Sequence, residues 1–242
     1  MRPVNLAVSS VLMFICLLGS CERKPSPSSP VAPVAVVPAT SAVEAEPPWI
    51  PANDLGDWKP LTCFSQADVK VVDGVLQMAN GDGVSGVRYA GKRPIPVVDY
   101  ELSWEAMKVR GVDFFGAATF PVRDKKTCVT FINGGWGGGV TGISSIDRMS
   151  AQENSTTTVV PYKPDQWYKF RVQVTAEMIA AFVDDKLIFK ALIKDKVVGL
   201  RPGEIEECAP FGFATYMTKG AVRNIHFRDL KPGELKTDAD SY

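Results

Sequence analysis

The chain has 242 residues, 45% of them hydrophobic, with 27 basic side chains against 27 acidic ones and one histidine. This balance leaves no electrostatic footprint for a polyanion, so nucleic acid is not implied as a partner. A single imidazole also excludes histidine-rich metal sites.

The chain opens on a targeting pattern. Arg2 gives a positive start, residues 6–18 are apolar, and Gly19-Ser20 are small residues at a cleavage point. The apolar run falls short of the roughly 20 residues a membrane span needs. Leu18-Gly19-Ser20-Cys21 resembles the lipobox of bacterial lipoproteins, which implies acylation of Cys21, export, and membrane anchoring in a bacterial cell envelope. Residues 22–51 carry eight prolines among Ser, Ala and Val. Such a segment buries too little apolar surface to offset its ordering entropy and is expected to be a disordered tether. At ~3.1 Å per residue in the polyproline conformation, it would hold a domain up to ~90 Å from a membrane.

Residues 58–230 then read as one domain, followed by a polar, flexible tail over residues 231–242. Short strands are expected at 69–72, 75–79, 114–120, 128–132 and 179–183. Tyr100, Leu102, Trp104 and Ala106 alternate with polar residues, and the phase then flips to Met107 and Val109, as a β-bulge would produce. Tyr168, Phe170, Val172 and Val174 alternate likewise, as do Phe211, Phe213 and Thr215, and Ile225 with Phe227. Asp184-Asp185 before residues 186–189 predicts a tight hairpin turn. Many short strands separated by Gly, Pro and Asp indicate an all-β fold, a two-sheet antiparallel jelly-roll sandwich. Three cysteines fall in this domain. Cys128 lies in an apolar strand and reads as buried; Cys63 and Cys208 lie in irregular sequence and are the expected disulfide pair.

The run 167–174, with 179–183, the Asp184-Asp185 turn and Leu187-Ile188, resembles the hairpin of concanavalin A-like and laminin G-like domains. The stretch 134–139 (GGWGGG), with Ile146-Asp147 and Glu153-Asn154 after it, is similar to proteins of planctomycete-type bacteria in the DUF1080 or 3-keto-disaccharide hydrolase family. Residues 211–216 with Arg223-Asn224-Ile225 are similar to the same group. The resemblance spans roughly residues 99–230. It implies a lectin-like sandwich and, more distantly, cleavage of disaccharides or 3-keto sugars.

Trp136 within six residues that are otherwise glycine is the most unusual feature. No Gly-Lys-Ser/Thr follows, so this is no phosphate loop. Either the glycines leave the indole prominent for stacking on a sugar ring, or they mark strand bulges with Trp136 filling the core. Asp147 and Glu153 are candidate catalytic carboxylates, given the ~5 to ~9.5 Å separations glycosidases use. The plainer alternative has Asp147 capping a turn and Glu153 solvated. Asn154 and Arg171 are candidate hydrogen-bond donors to sugar hydroxyls, Arg171 from an outward strand face shared with Trp167 and Lys169. His226 reads as a surface residue beside Arg228. Residues 80–83 (NGDG) suggest a turn with too few ligands for calcium, so no cofactor is implied. Three functions fit: carbohydrate binding in the cell envelope, glycoside hydrolysis, or a structural envelope role.

Overall fold

The computed structural model describes residues 47–235, so the leader, Cys21, most of the tether and the last seven residues lie outside the described residues. In chain order its strands are β1 (Trp58–Pro60), β2 (Val69–Val72), β3 (Val75–Met78), β4 (Val84–Tyr89), β5 (Tyr100–Gly111), β6 (Phe115–Val122) and β7 (Asp124–Gly134), followed by β8 (Val140–Ser144), β9 (Thr158–Val159), β10 (Trp167–Val174), β11 (Met178–Val183), β12 (Lys186–Leu192), β13 (Gly212–Tyr216) and β14 (Thr218–Asp229). They form two seven-stranded sheets, ordered β1-β4-β13-β6-β7-β8-β9 and β12-β11-β10-β5-β14-β3-β2. All neighbours are antiparallel. The fold is the all-β sandwich that the alternation predicts.

The aromatic residues of the alternating strands meet between the sheets. Trp104 of β5 stacks on Phe170 of β10 at 5.4 Å and meets Phe131 of β7 edge-on at 5.6 Å. A second aromatic group surrounds Phe211, which contacts Trp49, Trp58, Phe213 and Phe227 with ring centroids 5.1–5.6 Å apart. Truncating any one of the fully buried rings to alanine would cost about 3–5 kcal/mol. Two of their polar atoms are satisfied inside: Trp104 Nε1 donates to Gly116 O, and Tyr100 Oη donates to Pro121 O. Asp184 and Asp185 both take positive φ, which sets the right twist for the β11–β12 hairpin.

Four features differ from the sequence expectation. Trp49 is only 6% exposed and its carbonyl accepts the Trp58 indole N–H, so the folded part begins before the expected end of the tether at Pro51. The bulge in β5 falls at Val109, because Arg110 and Lys108 face consecutive residues of β14. Lys108 therefore keeps the inward phase, its ammonium lying 5.8 Å over the Phe115 ring. The tail begins later than Lys231, since Glu234 pairs with Arg228. Finally, Cys63 and Cys208 are free thiols, as is Cys128. Cys208 is sealed beneath a 3-10 turn (Glu204–Cys208) among Leu61, Val84 and Ala214. Burial pushes its thiol up to about 12 and that of Cys128 up to about 11, so both act as small apolar groups rather than nucleophiles.

The outer face of the second sheet carries a charge network. Glu101 on β5 is 7% exposed and accepts hydrogen bonds from Arg171 (2.9 Å), Gln173 (2.9 Å) and Arg228 (2.7 and 2.8 Å). Burial alone would raise its carboxyl; the donors together outweigh that and hold it below the ordinary range.

Two outcomes follow for stability. Glu101→Gln should cost roughly 2–3 kcal/mol, read from the urea midpoint. A depressed carboxyl stabilises the fold above its unfolded pKa of about 4.3 and loses that contribution as pH falls through the lower folded value. The gap between wild type and variant should thus close below about pH 4; a constant gap from pH 7 to pH 3 would contradict the network. Thermal midpoints with and without dithiothreitol should coincide, whereas a Cys63–Cys208 bridge would lose roughly 4 kcal/mol or more on reduction.

Candidate functional site

The site lies on the outer face of the first sheet, where the side chains are small. Gly86, Ala214 and Ala117 face one another across β4, β13 and β6, and Ile132 of β7 faces Gly142 of β8. The next row is Gly212, Thr119, Thr130 and Ser144. Two irregular segments, residues 145–157 and 199–208, lie against this face. Ala151 packs on Ala117 and Ile132, and Ile205 with Cys208 packs on Ala214. The approach needs glycine: a Cβ on Gly142 would stand 2.8 Å from Thr156 Oγ1, and one on Gly212 would stand 2.7 Å from Cys208 O.

These segments leave two clefts that share Trp136, Arg201 and Pro202. The first, about 390 Å³, has Thr130, Ile132 and Ser144 in its floor and Phe114, Trp136 and Tyr216 in its walls. Phe114 and Tyr216 are 5.9 Å apart at a 35° tilt. Ser144 is 3% exposed, and its Oγ has no hydrogen-bond partner among the described residues. A buried hydroxyl left unmatched costs free energy that a hydroxyl-bearing ligand would recover. The second cleft, about 690 Å³, runs from Trp136 past Ser145, Gln152 and Glu153 to Arg148 and Gly199.

Trp136 combines the two readings of its glycine-rich setting. It sits in a one-turn element (Gly135–Gly138) whose backbone is left-handed at Trp136 (φ 48°) and Gly137 (φ 86°). Gly134 has φ 82°, a conformation that strains any side chain, and a Cβ there would stand 3.2–3.3 Å from Gly138 O, Phe115 and Tyr162. Asp113 holds the turn by accepting the Gly137 N–H at 3.2 Å. One part of the half-buried indole packs beside Ala117, Ile132 and Ala151; the rest faces both clefts, with the Arg201 guanidinium 5.7 Å above the ring.

The other four residues singled out from the sequence have different fates. Glu153 lines the second cleft, with Oε2 accepting from Ser150 N and Oγ; these bonds keep its carboxyl low. Asp147 lines neither cleft. It accepts from Lys196 Nζ at 2.8 Å and Val197 N at 3.0 Å, and these bonds lower its pKa and tie the first covering segment to the chain just before the second. Asn154 is buried, donating to the carbonyls of Ile143, Met149 and Ser150 and accepting from Thr156, so it shapes the loop and has no group left for a ligand. Arg171 is in the Glu101 network on the second sheet, over the Phe182 ring at 3.6 Å, and is not part of the site. Its outward phase was legible; which sheet it faced away from was not.

Residues the sequence reading passed over complete the clefts: Phe114, Ser144, Arg148, Arg201, Glu204 and Tyr216. Ala214 and Tyr216 occupy the outward phase of β13, and an outward row of small residues was the available signal for a covered face. Glu204 accepts from Ser65 Oγ at 2.6 Å and is held low by that bond. Among the described residues no three metal-ligating side chains come together, the turn at residues 80–83 included.

No family model matches the chain, and no curated protein matches it in sequence. Solved structures do. An apo Crh5 transglycosylase superposes with a TM-score of 0.51 at 9% identity, covering 78% of this chain and 85% of its own. Domain 4 of AbnA, a GH43 extracellular arabinanase from Geobacillus stearothermophilus in complex with arabinotriose, gives 0.46 at 13% identity over 73% and 85%. The carbohydrate-binding module CBM66 from Bacillus subtilis gives 0.43 at 11% identity over 72% and 96%. Of these, the transglycosylase superposition shows that the two-sheet sandwich is a shared fold; identity this low carries no more than that.

Proposed function

We propose that the protein binds carbohydrate in the paired clefts on the outer face of its first sheet, as an exported lipoprotein held in the cell envelope through Cys21. The observation that carries the reading is Trp136, half-buried at the junction of both clefts, one of which it lines together with the unmatched Ser144 hydroxyl. An indole face flanked by hydroxyl, amide and guanidinium groups suits a sugar ring, which is apolar on its faces and polar around its edge. The sandwich is one that a transglycosylase also uses, a fold-level analogy that supports the reading without carrying it.

Hydrolysis, which the likeness to the DUF1080 family implies, has less support. A glycosidase needs one carboxylic acid kept protonated near neutrality and a second, ionised carboxylate within reach. Three carboxylates line the clefts: Glu153 and Glu204 are both held below the ordinary range by hydrogen bonds, and Asp113 accepts from the Phe114 and Gly137 N–H groups, while Asp147 is bound to Lys196 outside them. Binding without turnover is the reading these carboxylates favour.

Wild type screened on a glycan array and titrated calorimetrically should bind at least one glycan class. Trp136→Ala should weaken that binding about tenfold or more, roughly 1.4 kcal/mol, while still unfolding cooperatively. Absence of binding across the array, or an unchanged Trp136→Ala isotherm, would remove the carbohydrate reading. The anchor is tested separately: in a bacterial host with lipoprotein processing, wild type should take up labelled fatty acid and pellet with membranes, and Cys21→Ser should do neither.

A further inference from the structure

The second cleft is electropositive for a local reason. Residues 146–149 make a tight hairpin turn, with Ile146 and Met149 exchanging both backbone hydrogen bonds at 2.9 and 3.1 Å. Its two central residues, Asp147 (φ 51°) and Arg148 (φ 65°), are both left-handed. Turns of this geometry favour Asn or Asp at the first position and Gly at the second. Asp147 fits, and its carboxylate is fully occupied by Lys196 and Val197. Arg148 does not fit. A long side chain stands where glycine would be unstrained, as Asp185 does in the β11–β12 hairpin, and the turn fixes where that side chain projects.

Arg148 is exposed along the cleft wall, and no salt bridge or hydrogen bond holds its guanidinium among the described residues. Arg201, on the opposite covering segment, is likewise without an ion pair and lies above Trp136. The acid on this wall is Glu153, whose Oε2 is bonded to Ser150 and whose carboxylate also feels the charge of Arg201, so Arg148 is the cation it leaves uncompensated. Two guanidinium forks and an indole thus face a space of about 690 Å³, within the roughly 300–1,000 Å³ of ligand pockets. A planar fork matches a carboxylate or a sulfate with two parallel hydrogen bonds.

Resting on the carbohydrate reading, we infer that the protein prefers acidic saccharides, with a sugar ring on Trp136 and the anionic substituent, a uronate carboxylate or a sulfate ester, between Arg148 and Arg201. A neutral sugar would stack equally well and leave both cations facing water.

The test uses the full chain in detergent and calorimetric titration at low salt. The ligands are oligogalacturonides and oligoglucuronides, their carboxyl-reduced neutral counterparts, and sulfated forms of those neutral oligomers. Wild type should bind an acidic member at least tenfold more tightly than its neutral counterpart, and raising NaCl from 50 to 500 mM should shrink the ratio. Arg148→Gly and Arg201→Gln should each lower the ratio severalfold, the ratio being read within each variant so that any change in neutral-sugar affinity cancels. Arg148→Gly should also leave Tm unchanged or raise it by about 2 °C, since glycine relieves the turn; this separates loss of a ligand contact from loss of fold. Preference for the carboxylated or the sulfated series identifies the substituent. Equal affinity for acidic and neutral members in wild type, or a ratio untouched in both arginine variants, would overturn the inference and leave carbohydrate binding standing. Binding to no member of any series would remove both.

Discussion

A sandwich sheet that is bare on its outside needs something to lie on it, and this requirement organises the whole molecule. Gly86, Ala214, Ala117 and Gly142 give the first sheet an outer surface with almost no side-chain relief. Backbone approaches it closely there, as the contact distances at Gly142 and Gly212 show. The segments of residues 145–157 and 199–208 are therefore held as a second, thin layer rather than left as free loops. They are also joined to each other, Ser145 and Gly199 exchanging hydrogen bonds at 2.7 and 3.2 Å. Where this layer fails to close over Thr130, Ile132 and Ser144, clefts remain. The site is thus a consequence of incomplete coverage on a rigid base, and it needs no dedicated pocket-forming domain.

The polar groups around the clefts divide into those that build the covering layer and those left facing the open space. Asn154, Asp113, Asp147 and Glu204 all accept or donate within the protein, and each fixes a piece of irregular backbone that regular strand pairing cannot reach. A buried backbone N–H or carbonyl without a partner is costly, so loops lying on a sheet need such side chains as substitutes for ladder hydrogen bonds. Ser144 Oγ lacks a hydrogen-bond partner and the guanidinium of Arg148 lacks an ion pair among the described residues, while Arg201 meets only the Trp136 ring and the charge of Glu153. The carboxylates most tempting as catalysts belong to the first group.

Charge is arranged with the same division between the two sheets. The second sheet's outer face gathers Glu101, Arg171, Gln173 and Arg228 into a nearly self-satisfied network. Such a network adds rigidity and exposes little unpaired charge. The overall balance of 27 against 27 therefore conceals a local imbalance at the second cleft.

Two-residue alternation was enough to find both inner faces, because burial acts on each strand separately and leaves its mark at every second position. It located β2 to the residue and predicted the Asp184-Asp185 turn from local backbone preference alone. The glycine frame of Trp136 likewise signalled the left-handed turn that sets the indole between the clefts, since such backbone leaves a compositional trace. Other things depended on which strands become neighbours. Cys63 and Cys208 come into one small cluster as free thiols, Asn154 turns inward, and Arg171 faces away from the sheet opposite to the site. Alternation gives the phase of a side chain, not the sheet it belongs to or what covers that sheet. Those are set by pairings between residues up to well over a hundred positions apart, such as Glu105 with Arg223, and only the assembled tertiary structure decides them.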